Sequence, residues 1–153
     1  MATHFDAPGR DSGMAWREKR AWLGLATLAI AYGIYFTNVP VPVDGLVDLR
    51  WLFWFAAASL GQGLTFGLGI ALLRWRSPRG DYAAPDERDR AIDRRAAAIA
   101  YYVLMVAVIW VGVISPFGTS AWRIAQGSLL AIVTTEFVRY GATVWSYRRG
   151  WHG

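Results

Sequence analysis

The sequence predicts an all-α membrane protein, a four-transmembrane-helix bundle with up-down topology. Three observations predict it. Of the 153 residues, 55% are hydrophobic, above the ~45–50% of ordinary soluble chains. Charged residues gather in a few stretches and leave four long runs almost bare. An amphipathic soluble helix would instead spread its charge along one face with a period near 3.6. The basic residues flank the apolar runs, so the net charge of +5 reads as membrane topology rather than nucleic-acid binding.

The elements follow in order. Residues 1–14 are polar, with Pro8 and Gly9, and read as a disordered cytoplasmic tail ahead of a transmembrane domain over 15–149. After Arg17, Lys19 and Arg20, residues 21–39 carry no charge. At ~1.5 Å per residue they reach roughly 28 Å, enough for the hydrocarbon core. The run is too long for a cleaved signal peptide, and no small-x-small site follows it. Val39-Pro40-Val41-Pro42-Val43-Asp44-Gly45 is a proline-stiffened turn.

The second span, 51–73, has Arg50 and Trp51 at one end and Arg74, Trp75 and Arg76 at the other, the anchors expected at both interfaces. A cytoplasmic loop over 74–95 contains Pro78 and Gly80, which break the helix, and Pro85, which restarts it. Asp86, Glu87 and Asp89 then put negative charge at the positive end of the helix dipole. That helix runs unbroken into the third span, 96–114. Ser115-Pro116-Phe117-Gly118 makes a tight hairpin, and Thr119 or Ser120 caps the fourth span, 121–145.

Orientation follows from the basic residues. Thirteen of the sixteen Lys and Arg lie in the N-terminal tail, the middle loop or the C-terminal tail. Only Arg50 and Arg123 lie in the two short hairpins, and Arg139 is inside the fourth span. This places both termini in the cytoplasm and the chain in a bacterial inner membrane as a multi-pass protein.

Several chemistries are excluded. There is no cysteine, hence no disulfide, thiol nucleophile or thiolate metal site. His4 and His152 are the only histidines and lie near the termini, which argues against buried zinc or bis-histidine haem. No nucleophile–base pair or phosphate loop is visible, so neither an enzyme nor a bound cofactor is expected. Seven of the nine tryptophans fall near span ends as interfacial anchors; Trp54 and Trp110 lie deeper.

Three groups of residues could carry function. Glu136 and Arg139 are three apart and share a helix side. Glu136 lies nine residues before Trp145, roughly 14 Å deep, where a charge costs ~2.5–3.5 kcal/mol. Gln62 lies at a similar depth in the second span and could reach Glu136. The site reads either as a proton or cation site or as a structural ion pair with Arg139 snorkelling outward. Ser59, Gly63, Gly67 and Ala71 recur every four residues and form a small-residue face, for packing within the bundle or for a homodimer. Asp86, Glu87, Arg88, Asp89, Arg90 and Asp93 form a charged cytoplasmic motif. Asp86, Asp89 and Asp93 share a face that could hold a cation or a basic partner, although Arg90 lies within pairing distance along the helix.

The segment from Asp86 through Ala96, running into Tyr101 and Tyr102, and the tail Tyr147-Arg148-Arg149-Gly150 also carry a resemblance. The chain resembles a group of uncharacterised small prokaryotic membrane proteins with an Asp-Glu-Arg motif before the third of four spans. The resemblance implies the four-span layout and brings no activity with it. The expected function is therefore a non-enzymatic subunit or regulator acting through helix–helix and cytoplasmic-loop contacts. Its partners would be the lipid bilayer and a second copy or another membrane protein. The alternative is a small proton- or cation-coupled transporter using Glu136.

Overall fold

The computed structural model describes residues 14–40, 49–77 and 86–149. Most of the expected tail, the proline turn beyond Pro40, the loop from Pro78 to Pro85 and the end from Gly150 lie outside them. The fold is all-α: α1 is Trp16–Asn38, α2 Leu49–Arg76, α3 Glu87–Ile109 and α4 Ala121–Arg148. Among the described residues there is no strand. Among the described residues two stretches are long and apolar enough to cross a membrane on composition and length alone, Leu49–Arg76 and Glu87–Phe117.

The helix ends follow from local chemistry. Asp86 is the N-cap of α3, and its Oδ1 accepts from the Asp89 N–H at 2.7 Å. At its far end α3 widens into a π-helical turn over Trp110–Ile114, with the Ser115 N–H bonded to the Trp110 carbonyl. A 3₁₀ turn, Ser115–Phe117, follows. Pro116 explains this: it has no N–H and its ring would collide with the carbonyl four residues back, so the regular ladder must open before it. The hairpin then closes through Gly118 N–H to Ser115 O at 3.3 Å and Thr119 Oγ to Ser115 O at 2.6 Å. Ser120 takes the N-cap position of α4, but its hydroxyl makes no capping bond. The cap expected from Thr119 or Ser120 is therefore not formed, because the Thr119 hydroxyl turns back to the hairpin.

The helices lie in an open row, in the order α2, α1, α4, α3. Each runs antiparallel to its neighbour. Tyr32 meets Ser59 and Tyr35 meets Trp51 across α1 and α2. Tyr35 meets Gln126 near one end of α1 and α4, and Glu18 meets Arg148 near the other. Small residues set the closest approaches, as expected where lipid gives apolar side chains no drive to associate. A Cβ on Gly24 of α1 would come within 2.7 Å of the Tyr140 ring of α4. A Cβ on Gly69 of α2 would come within 2.6 Å of Leu23 of α1. On α3 the buried residues are Ile92, Ala96 and Ala100, four apart, forming the seam against α4.

Candidate functional site

A cavity of about 310 Å³ opens where α2 and α4 stand apart over α1. Leu28 and Tyr32 come from α1, Gln62 and Phe66 from α2, and Glu136 and Tyr140 from α4. The alternating directions of the helices explain the meeting: α2 and α4 run the same way, so residues at matching depths face each other across α1. Gln62 and Glu136 are thus brought to one cavity. Tyr140 is set by its neighbours, lying over Gly24 with its ring 6.2 Å from that of Phe66.

Glu136 Oε1 lies 3.7 Å from Nη1 of Arg139, which itself does not line this cavity. The carboxylate side chain is 37% exposed and the guanidinium side chain 53%. The pair is long and only half covered, so packing does not seal it. Arg139 lines a second cavity instead, about 210 Å³ and largely polar, at the end of the row where α1 and α3 begin and α4 ends. Tyr140 lines both cavities and stands between them.

The same end carries an ionic clasp. Arg17 of α1 reaches across to α3, its Nε 3.2 Å from Asp89 Oδ2 and its Nη1 2.9 Å from Asp93 Oδ2. Tyr147 of α4 donates to Asp89 Oδ1 at 2.5 Å. Burial, the bond to Asp89 and the Asp89 charge together push the Tyr147 phenol well above its ordinary value. Arg148 Nε pairs with Glu18 Oε1 at 3.4 Å and its guanidinium also lies over the Trp22 ring. Glu18 lies in the first turn of α1 and Arg148 in the last turn of α4, so each also sits at the favourable end of its helix dipole.

The charged motif is therefore used differently from the sequence expectation. Asp86 caps α3, and Asp89 and Asp93 pair across helices with Arg17 rather than along α3 with Arg90. Glu87, Arg88 and Arg90 are exposed. Among the described residues no three acidic or histidine side chains converge as metal ligands would.

The small-residue face divides in a similar way. The Ser59 and Tyr32 hydroxyls are 3.4 Å apart, at the α1 contact. Gly63, Gly67 and Ala71 are exposed, and a Cβ on Gly63 or Gly67 would meet nothing within 4 Å. The chain's own helices pack on Gly69 instead.

The family model described as "Predicted membrane protein (DUF2178)" matches residues 17–151. The chain belongs to this family. No curated protein and no solved structure matches it. The match takes in all four helices of this DUF2178 member, from Arg17 of the clasp to the end of α4, with both cavities inside it.

Sequence reasoning missed three features of this DUF2178 protein. One is a polar hub at the opposite end. Tyr35, 0% exposed, accepts from Trp51 Nε1 at 2.7 Å and from Gln126 Nε2 at 2.9 Å, tying α1 to α2 and α4. The Trp51 and Trp122 rings meet edge to face beside it. Gln126, a second amide within an apolar run, was the available signal. The other two are the Arg17 clasp and the position of Tyr140. Both depend on helix order, which no local pattern reports.

Proposed function

We propose that this protein crosses a bacterial inner membrane four times with both termini in the cytoplasm, does no enzymatic chemistry, and handles a proton or small cation at the Glu136 cavity. The observation that carries this reading is the meeting of Glu136 with Gln62 in one cavity, beside an incompletely covered Arg139. A carboxylate near mid-membrane is costly, so it is retained where it does work. Arg139 serves as the resting counter-charge. A proton arriving at Glu136 removes the reason for the pair and frees the guanidinium; a cation does the same by competition. Gln62 supplies a neutral amide that can accept from a protonated acid or coordinate a cation. The second polar cavity, beyond Tyr140, lies on the path toward the basic end.

Reconstitution into liposomes with an internal pH dye tests this. Wild-type protein is expected to carry a proton flux, or a flux of one alkali cation, that Glu136→Gln abolishes and Gln62→Leu weakens. Unchanged flux in Glu136→Gln would end the proposal.

The exposed Gly63, Gly67 and Ala71 favour a second reading. There α2, whose backbone among the described helices approaches only α1, presents a small-residue face to another copy or another membrane protein, and the protein is a subunit or regulator. Chemical cross-linking in native membranes separates the two, since the second reading requires a defined oligomer or partner.

A further inference from the structure

The polar cavity at the basic end differs in character from the Glu136 cavity beside it. Arg17, Arg20, Asp93, Arg139, Tyr140 and Thr143 line about 210 Å³. Three guanidinium groups thus meet one carboxylate. Arg17 is matched, since Asp89 and Asp93 take its Nε and Nη1. Among the described residues the Arg139 guanidinium is held only by the 3.7 Å contact to Glu136, whose carboxylate lines the neighbouring cavity and not this one. Among the described residues Arg20 makes no ion pair. Two guanidinium forks are therefore left with donors to spare in one concave, polar place.

The level of this pocket decides what it fits. It lies between the first turns of α1 and α3 and the last turns of α4. Trp22 and Trp145, side chains of the interfacial type, lie at the same ends. Guanidinium forks match phosphate oxygens two at a time. Basic pockets between membrane helices at the headgroup level take anionic lipid headgroups. We propose that this pocket binds the phosphate of an anionic phospholipid, gripped by Arg20 and Arg139. The clasped Arg17 forms the fixed wall, and the acyl chains lie along the outside of the helices. Arg139 then serves two anions, the lipid phosphate and Glu136, which compete for it. The site stands whatever Glu136 carries.

The test uses full-length protein, purified and delipidated in a neutral detergent, with bound lipid counted by native mass spectrometry. Phosphatidylglycerol is expected to bind about tenfold more tightly than phosphatidylcholine, and Arg20→Gln and Arg139→Gln each to remove most of that preference. Lys19→Gln, on the same turn but outside the pocket lining, should keep it. Glu136→Gln should strengthen it by releasing Arg139. Arg20→Gln lies on an exposed residue and carries the test should Arg139→Gln fail to fold. Equal binding of the two lipids, or a loss in Lys19→Gln matching that in Arg20→Gln, would overturn the proposal. So would displacement of phosphatidylglycerol by millimolar inorganic phosphate, which would assign the pocket to free phosphate.

Discussion

At the residue scale, the stability of the basic end rests on a few groups that each serve two helices. Asp89 is the clearest: it accepts from Tyr147 of α4 and pairs with Arg17 of α1 while belonging to α3. Tyr147→Phe removes one hydrogen bond to a charged acceptor at a half-covered site, so a loss of about 1 kcal/mol is expected. The pH dependence has a definite sign. The folded-state phenol is raised above its unfolded value, so its contribution is complete below the ordinary phenol range near 10 and declines as pH climbs beyond it. Thermal melts in detergent between pH 7 and 11 should show the wild type losing stability above about pH 10 and the Phe variant losing less over the same interval. A wild type and variant that fall together would show that Tyr147 does not hold Asp89 in solution. The sequence made Glu136 and Gln62 legible because polar groups stand out in apolar runs. Arg17 and Tyr147 were hidden because polar residues at span ends are ordinary.

At the element scale, the helices were legible and their faces were not. Apolar periodicity identifies an inward face only when water lies outside. In lipid, leucines such as Leu60, Leu64 and Leu68 point outward as readily as inward, and all three are exposed here. The inward face is instead chosen by single close approaches, and glycine spacing alone does not reveal which glycines are used. Gly24 and Gly63 make the comparison. Gly24→Ala puts a Cβ 2.7 Å from the Tyr140 ring, which is hemmed in by Phe66. Displacing that ring is expected to cost about 1–3 kcal/mol. Gly63→Ala meets nothing within 4 Å and should change the stability of the chain by less than about 0.5 kcal/mol. Melting of the two variants side by side checks this, and equal losses would place α2 differently against α1. The π-helical turn before Pro116 is the other departure from regular geometry. The proline was visible in the sequence, but the expected span ran straight through to Ile114 because periodicity does not register a change in helix width.

At the scale of the whole molecule, the open row accounts for both cavities. A closed square of four helices would bury Glu136 against Gln62. A row with α2 and α3 at its edges leaves α2 and α4 apart, and α1 becomes the floor between them. The order of the row was beyond the sequence because it follows from side chains far apart in the chain, such as Arg17 with Asp93 and Tyr35 with Gln126. The alternation of direction was legible, since short hairpins and the charge bias both require it. That alternation can be tested directly, because the chain has no cysteine of its own. Single cysteines at Asp44 and Gly118 should react with a membrane-impermeant maleimide on intact cells. Cysteines at Glu87 and Arg149 should react only after the membrane is opened. This pattern requires α2, α3 and α4 each to cross, because each adjacent pair of positions is separated by a single one of these helices. Labelling of Glu87→Cys on intact cells with Gly118→Cys silent would reverse the orientation and move the three-arginine pocket to the outer leaflet. Labelling of Arg149→Cys together with Gly118→Cys would mean that α4 does not cross. Glu136 would then lie outside the hydrocarbon core, and the mid-membrane carboxylate on which the cation reading depends would not exist.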